Sequence, residues 1–267
     1  MILVITDKCS MGCTHCLSDC KPDGQHITLE QFKQNLEFAL RTIGRNPQIL
    51  ILSGGEPFEH PQIREILEHT AERLKNLTIM CTVATNGTPL IDNKDLYNWY
   101  KEFAKKYKRL FLQVTNIPKY YPRTLTSKEI YWLEKIKNCV VVTDEKEVPL
   151  YPQGRALNLP NPEWRTKGPK CSDIRLVTAQ KPGSSFGEVI NTLFGLIHKS
   201  CTPRINIDGS IVLGESRLCP KVANVTNSDP DIIKAIRGFK CHGCQVCLEI
   251  MKQNNPVANS LFNMINE

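Results

Sequence analysis

The chain has 267 residues, of which 41% are hydrophobic, and a formal net charge of +7. This length is enough for one large hydrophobic core, or for one core with a small appendage. The sequence has no apolar run near the ~18 residues that a membrane helix needs, and no secretory leader precedes its first predicted strand. These features exclude a membrane protein, and we expect a cytoplasmic one.

Twelve cysteines and a basic charge are the compositional features that bear on function. Without a secretory leader, so many cysteines predict reduced thiolates that bind metal rather than disulfides. Lysines and arginines are spread along the chain, and the densest run, residues 101–109, falls at a predicted helix end where cations face the helix dipole favourably. We therefore predict a solvated basic surface there and do not expect a nucleic-acid partner.

Three closely spaced cysteines follow the first predicted strand, residues 1–6. They are Cys9, Cys13 and Cys16. A structural zinc ion takes four protein ligands, and an ordinary iron–sulfur cubane takes one thiolate per iron, so three thiolates leave one iron open, as catalysis requires. On these residues alone, the alternative is half of a zinc ribbon that Cys20 or His15 completes.

A second motif, Gly54-Gly55-Glu56, follows the short apolar run of residues 49–52. The run predicts a buried strand that leads into a tight loop. Glycines allow the backbone to approach a ligand closely, and exposed backbone groups together with Glu56 can hold an amino group.

Together, the Cys-x3-Cys-x2-Cys motif and the Gly-Gly-Glu motif resemble the signature of the radical S-adenosylmethionine (SAM) superfamily, over about the first 160 residues by strand count. The resemblance implies that the three cysteines hold a [4Fe-4S] cluster whose open iron SAM chelates. It implies that Gly54, Gly55 and Glu56 bind the SAM amino group. A flavodoxin-type or ferredoxin-type reductant would supply the electron, and the resulting 5′-deoxyadenosyl radical would abstract hydrogen from a substrate.

Predicted strands and helices alternate through this part of the chain. Capping boxes at Thr28 with Gln31 and at Thr126 with Glu129 begin two of the helices. The other predicted elements are helices near residues 63–74 and 93–107, and strands at residues 77–84, 110–115, 139–143 and 147–151. We expect the aromatic residues of the helix near 93–107 to pack in the core, and the strand at 139–143 is too continuously apolar to face water. A turn at residues 85–87 is predicted to end the strand at 77–84. Such alternation implies parallel strands with right-handed crossovers. The predicted fold class is therefore α/β, a partial (β/α)6 barrel of the TIM type with its site at the carboxyl ends of the strands.

Three further residues are candidates through the same resemblance. Gln113 and Thr115 lie on the fourth predicted strand, where polar side chains in the family contact the SAM ribose or carboxylate, although the usual Ser-x-Asp pattern is absent. Arg155 lies in a Gly-Arg-Ala turn that several members carry, and it could pair with the SAM carboxylate or with substrate. It is also our only candidate catalytic residue, and the alternative is an ordinary arginine in a surface turn.

Prolines and glycines interrupt the pattern at residues 157–171, so we predict a core domain at residues 1–160 and a second domain at residues 161–267. Alternating segments around Asp208-Gly209 predict a β-hairpin over residues 204–213, and a helix follows at residues 229–239. The second domain is thus predicted to be a small hairpin-and-helix module.

Five cysteines accompany this hairpin. They are Cys201, Cys219, Cys241, Cys244 and Cys247. By spacing alone a structural zinc site is the alternative, but the pattern resembles the SPASM/twitch extension of radical SAM enzymes. The resemblance implies one auxiliary [4Fe-4S] cluster with Cys201, Cys219, Cys241 and Cys244 as ligands. Whether Cys247 or Cys171 belongs to the set stays open.

The resulting hypothesis is a radical SAM enzyme that carries out a net oxidation, or forms a cross-link or thioether, on a small molecule or a peptide. The alternative from another class is a non-enzymatic iron–sulfur or zinc protein that binds nucleic acid.

Overall fold

The computed structural model of the chain describes residues 1–43, 49–148, 150, 153–162, 203–213 and 221–238. It divides into two compact units. The first comprises Met1–Cys13, Cys20–Glu147 and Ile205–Gly209, and the second comprises Thr14–Asp19 with the described residues of the remaining chain. The predicted auxiliary-cluster cysteines all lie outside the described residues. They are Cys171, Cys201, Cys219, Cys241, Cys244 and Cys247. The domain boundary at residue 160 stays a prediction.

Five parallel strands form the sheet of the first unit. They are β1 (Ile2–Thr6), β2 (Ile49–Gly54), β3 (Met80–Thr85), β4 (Leu110–Thr115) and β5 (Cys139–Val142). Their hydrogen-bonded order is β5-β4-β3-β2-β1. The described strands thus form an open α/β sheet. The predicted fold class is confirmed, and a partial barrel is compatible with this order.

Five helices connect these strands. They are α1 (Leu29–Ile43), α2 (Ile63–Leu74), α3 (Thr88–Asp92), α4 (Lys94–Lys106) and α5 (Ser127–Glu134). Both predicted capping boxes form, with reciprocal hydrogen bonds between Thr28 and Gln31 and between Thr126 and Glu129. The Asn93 side chain caps α4 by accepting from the Leu96 N–H. The short helix α3 had no counterpart in the prediction.

The core lies between these helices and one face of the sheet. Alternate residues of β3 and β4 are buried, as the period of two in a strand requires. The helices contribute fully buried side chains to the core, namely Phe32, Leu36, Ile66, Leu67 and Tyr100. The predicted core position of the aromatic residues of α4 is confirmed for Tyr100 and Phe103, whereas Tyr97 and Trp99 are half-buried.

Two predicted strand features are wrong. Strand β3 begins at Met80 rather than at residue 77, because the Leu77 N–H donates to the Leu74 carbonyl and extends the turn that ends α2. The predicted burial of β5 fails, since the Val140 side chain is 59% exposed. The predicted sixth strand, residues 147–151, lies partly outside the described residues. Of its described residues, Glu147 ends a 3-10 turn at Glu145–Glu147 and Leu150 forms a bridge.

The predicted hairpin is present near the end of the described chain. Its strands are β6 (Pro203–Ile205) and β7 (Ser210–Leu213), and the Gly209 N–H donates to the Asn206 carbonyl in the turn between them. An additional strand, β8 (Lys221–Asn224), pairs antiparallel with β7, and helix α6 (Asp229–Gly238) follows. None of the described helices has the length and apolar character needed to cross a bilayer.

Candidate active site

Both sequence motifs begin at the carboxyl edge of the sheet. The cysteine loop, residues 7–20, follows β1, and the glycine loop, residues 53–57, begins at the end of β2. Thr6 and Gly54 are partners in the register of these two parallel strands. Cys9 and Cys13 are buried and Cys16 is half-buried. Because parallel strands place their carboxyl ends at one edge, the fold brings the starts of the two motifs together.

Backbone hydrogen bonds join the two loops. The Gly55 N–H donates to the Thr6 carbonyl at 2.7 Å, and the Glu56 N–H donates to the Lys8 carbonyl at 2.8 Å. A second connection involves side chains, since the N–H and the hydroxyl of Ser10 donate to the two carboxylate oxygens of Glu59 at 2.9 and 3.0 Å. The residues on both sides of Cys9 are therefore fixed, Lys8 to the glycine loop and Ser10 to Glu59 in the 3-10 turn that follows it.

Gly55 is required by this close approach. A Cβ atom at residue 55 would lie 2.0 Å from the Lys8 carbonyl oxygen, which is far inside van der Waals contact. The sequence predicted that this glycine lets the backbone approach a ligand. In the structure, the group that approaches it is the backbone of the cysteine loop itself.

The Glu56 side chain is fully buried and accepts three hydrogen bonds. Its Oε1 accepts from the Thr85 hydroxyl at 2.7 Å and from the Phe58 N–H at 3.0 Å, and its Oε2 accepts from the Asn86 N–H at 2.8 Å. Burial raises the pKa of Glu56 to about 7, against the opposing effect of these donors. Glu56 thus links the glycine loop to the end of β3.

Thr85 and Asn86 are site residues that the sequence interpretation missed. The Thr85 hydroxyl accepts from the Gly87 N–H while it donates to Glu56. The Asn86 side chain accepts from the Thr88 N–H and hydroxyl at 2.9 and 2.6 Å, which begins α3. The Thr-Asn-Gly sequence after a strand predicted a turn, but nothing in it indicated a partner about thirty residues earlier.

Residues 21–27 close the cysteine loop by running back beside β1. The Cys9 N–H donates to the Lys21 carbonyl at 2.9 Å, and the Ile27 N–H donates to the Ile5 carbonyl at 3.0 Å. His60 supports this return, because its Nε2 donates to the Ile27 carbonyl while its Nδ1 accepts from the Gln62 N–H. Burial lowers the pKa of His60, in agreement with a neutral ring.

Gln113 and Thr115 share the face of β4 opposite to its buried residues. Gln113 is exposed and lies beside Ala84 and Val140 in the sheet, whereas Thr115 is half-buried at the carboxyl end of the strand. Thr115 therefore lies at the same edge of the sheet as Gly54, and Gln113 lies two residues earlier in β4, further from this edge.

Arg155 belongs to the second unit, in a 3-10 turn at Gly154–Asn158. Its Nη1 donates to Asp19 Oδ1 at 3.0 Å, and its backbone N–H donates to the Cys16 carbonyl at 3.0 Å. The residue that the sequence placed in the SAM or substrate contact set is thus bonded to the segment that carries the third cysteine.

The chemistry of Cys9, Cys13 and Cys16 fits a cluster with an open iron. The described cysteines, these three included, are thiols rather than disulfides. Within the part of the chain that the structure describes, no three histidine, cysteine or acidic side chains are grouped as a site for a single metal ion. Three thiolates in one short loop provide one ligand fewer than a cubane has irons.

The family model of the radical SAM superfamily matches residues 3–139, slightly more than half of the chain. The chain belongs to the radical SAM superfamily. Membership implies an enzyme that uses a [4Fe-4S] cluster and SAM. The matched residues contain both loops, the strands β2, β3 and β4, all of β1 except Ile2, and the first residue of β5.

Two curated relatives match only a part of the chain. The antilisterial bacteriocin subtilosin biosynthesis protein AlbA of Bacillus subtilis is 28% identical over 100 residues, which are 37% of this chain and 21% of AlbA. The pre-heme d1 synthase of Dinoroseobacter shibae is 36% identical over 94 residues, which are 34% of this chain and 21% of the synthase. The matched stretch spans about a fifth of either relative.

Solved structures of other proteins share the fold at low identity. SuiB of Streptococcus suis has a TM-score of 0.55 at 15% identity, covering 96% of this chain and 74% of SuiB. BtrN in complex with AdoMet and 2-DOIA has a TM-score of 0.51 at 13% identity, covering 96% and 86%. The anSMEcpe structure with bound AdoMet has a TM-score of 0.52 at 14% identity, covering 93% and 83%. These likenesses support the fold.

Proposed function

We propose that this radical SAM enzyme cleaves SAM reductively to a 5′-deoxyadenosyl radical, which abstracts hydrogen from a peptide or a small molecule. The observation that carries the proposal is the hydrogen-bonded pairing of the cysteine loop with the glycine loop at one edge of the sheet. A protein that only carried electrons would have no use for an amino-acid pocket beside its cluster.

In this proposal Cys9, Cys13 and Cys16 hold the [4Fe-4S] cluster, which when bound supplies the electron that cleaves the SAM sulfonium. The chain fixes the loop around these thiolates. The bond from Cys9 to Lys21 closes the loop on one side, and the bonds from Ser10 to Glu59 hold the residue that follows the first cysteine. A loop that is fixed in advance positions the reacting groups at little entropic cost.

We assign the SAM amino group to the backbone carbonyls of Gly54 and Gly55. The N–H groups of Gly55 and Glu56 already donate to Thr6 and Lys8, and the Glu56 carboxylate accepts three bonds from the protein. An ammonium group requires acceptors, and the carbonyls of Gly54 and Gly55 can provide them, whereas the Glu56 carbonyl already accepts from the Glu59 N–H. Thr115 and Gln113, on β4, are proposed to contact the SAM ribose or carboxylate.

The proposed outcome is a net oxidation, or a cross-link or thioether, with one auxiliary [4Fe-4S] cluster held by cysteines of residues 201–247. AlbA is named for bacteriocin biosynthesis and one anSMEcpe structure contains a Kp18Cys peptide, which favours the peptide over the small molecule. A flavodoxin-type or ferredoxin-type reductant and a cytoplasmic location complete the proposal. Superfamily membership favours it over a non-enzymatic iron–sulfur or zinc protein that binds nucleic acid.

The test is anaerobic incubation of the reconstituted, dithionite-reduced protein with SAM, followed by chromatography for 5′-deoxyadenosine. We expect the product from the wild-type protein and none from a variant with alanine at residues 9, 13 and 16. Iron analysis provides the matched control, with about eight irons in the wild type and about four in the variant, as one lost cubane of two requires.

Three outcomes would contradict the proposal or its ligand assignment. Stable zinc without inorganic sulfide would favour the zinc protein. A protein with verified clusters that neither bound SAM nor formed 5′-deoxyadenosine would exclude the radical reaction. Eight irons in the triple variant would show that the ligands of the first cluster lie elsewhere.

A further inference from the structure

A cavity of about 400 Å³ lies at the amino-terminal edge of the first unit's sheet. Its walls are the last turn of α2, the end of α4 and the start of β4. The cysteine and glycine loops lie at the opposite, carboxyl edge. The cavity is therefore separate from the radical SAM site, and its volume is within the range of pockets that hold small organic ligands.

The cavity has an apolar floor and a cationic rim. Ala71, Leu74 and Leu110 form the floor and are buried. The rim carries four exposed cationic side chains, namely Lys75, Lys106, Lys108 and Arg109. None of the described residues that line the cavity is acidic. A cleft with charges of one sign on low-dielectric walls concentrates the electrostatic potential and attracts anions.

The segment that carries two of the cations is held firmly. The Arg109 guanidinium donates to the Leu77 carbonyl, which ties the start of β4 to the end of α2. The Asn138 side chain donates to the carbonyls of Lys108 and Leu110 at 3.1 and 3.0 Å. Lys108 and Arg109 are thus displayed from a fixed backbone, which reduces the entropic cost of binding a ligand.

The fold itself explains only part of this charge. Lys106 lies in the last turn of α4, where a cation interacts favourably with the helix dipole. Lys75 is paired with Glu72. Lys108 and Arg109 lie beyond the end of α4, so neither the helix dipole nor the ion pair of Lys75 accounts for them. These two interactions also do not explain why apolar side chains line the cavity below the cations.

We propose that this cavity binds an organic phosphate of nucleotide size, with the phosphates at the cationic rim and the organic part on the apolar floor. Lysines bind phosphate as point charges, and the arginine offers a planar set of donors. Inorganic phosphate would use the rim alone. The proposal adds a second ligand site to the enzyme and does not depend on its reaction.

The test is calorimetric titration of the full-length, reconstituted protein with ADP, pyrophosphate and inorganic phosphate, under anaerobic conditions. Saturating SAM is present throughout, so that ADP cannot report binding at the SAM site. We expect ADP to bind at least tenfold more tightly than inorganic phosphate, which corresponds to roughly 1.4 kcal/mol. The affinity falls as salt is added, because the rim is exposed.

Matched variants locate the binding. Replacing Lys106 and Lys108 with glutamine should weaken ADP binding roughly tenfold or more. Replacing Lys94 and Lys105, two exposed lysines of α4 that do not line the cavity, should leave it unchanged. Melting temperatures confirm that both pairs fold, and Lys108→Gln alone provides a milder second variant.

The proposal is overturned if ADP does not bind at millimolar concentration. It is also overturned if the two variant pairs weaken binding equally, or if inorganic phosphate binds as tightly as ADP. Displacement of ADP by a higher SAM concentration would assign the binding to the SAM site and would likewise exclude the cavity.

Discussion

The Arg155 guanidinium donates to the Asp19 carboxylate at 3.0 Å, across 136 positions of the chain. The same arginine donates its backbone N–H to the Cys16 carbonyl. Gly154 allows this approach, since it has a φ of +55° and a Cβ atom there would lie 2.3 Å from the Cys16 carbonyl oxygen. Arg155 is therefore a positioning residue for the third cysteine in our interpretation.

We expect Arg155→Ala to loosen the third cysteine. The ion pair is partly exposed, so its loss should cost global stability only about 1 kcal/mol or less. The local effect should be larger, and iron should be lost several-fold faster when a chelator is added. The measurement is the rate of iron release from the reconstituted protein, with electron paramagnetic resonance of the reduced cluster as a second readout. Arg155→Lys should restore part of the retention.

Arg123→Ala is the matched control for this prediction. Arg123 also pairs with carboxylates, those of Asp92 and Glu129, but neither of these partners belongs to the cysteine loop or the glycine loop. Its replacement should leave iron release unchanged. If Arg155→Ala instead weakened SAM binding and left iron retention intact, Arg155 would contact SAM, as the family resemblance allowed.

Glu56 should make stability fall as pH rises. Its pKa is about 7 in the folded protein against an ordinary 4.5, so the folded protein binds one more proton than the unfolded chain between about pH 4.5 and 7. Stability is therefore fully present below this window and is lost as pH rises through it, by about 3 kcal/mol. Urea unfolding measured anaerobically across this range gives the slope.

Subtracting the same curve for Glu56→Gln isolates this contribution. His26 and His60 have lowered pKa values, so the stability that they contribute to the folded protein is lost as pH falls, in the opposite direction to the contribution of Glu56. Their contributions cancel in the difference between the two proteins. Parallel curves for wild type and variant would show that Glu56 does not titrate in this window.

Gly55→Ala should prevent the two loops from pairing. The added methyl group would lie 2.0 Å from the Lys8 carbonyl oxygen, so the backbone would have to shift and the bonds to Thr6 and Lys8 would be lost. We expect a loss of more than about 2 kcal/mol in the free energy of unfolding. Ser53→Ala, two residues earlier, should cost much less, and equal losses would show that the contact relaxes easily.

Local signals accounted for most of the helices and strands that were predicted correctly. The capping boxes at Thr28 and Thr126 each involve residues three positions apart, so their sequence patterns contain the whole interaction. The alternation of apolar residues in β4 likewise specified its buried face. The two motifs then placed the candidate site at the carboxyl edge of the sheet, because each motif follows a strand and parallel strands have their carboxyl ends at the same edge.

The features that the sequence did not predict depend on distant partners. The Glu56 carboxylate could have pointed to an open pocket, and only the packing of β3 beside β2 provides Thr85 and Asn86 as its donors. The pairing of Arg155 with Asp19 has no local signal at all. The exposure of Val140 is similar, since an apolar strand indicates burial only when a neighbour covers it.

The hydrogen bonds made by Gly55, Glu56 and Ser10 also determine which part of this protein would be needed to transfer the site into another scaffold. All of them are made between protein groups, so the shape of the cysteine loop is specified by residues up to the end of β3 as well as by the loop itself. A peptide copied from residues 7–20 would lack most of these partners. Transplanting the site into another scaffold therefore requires three adjacent parallel strands as a single block.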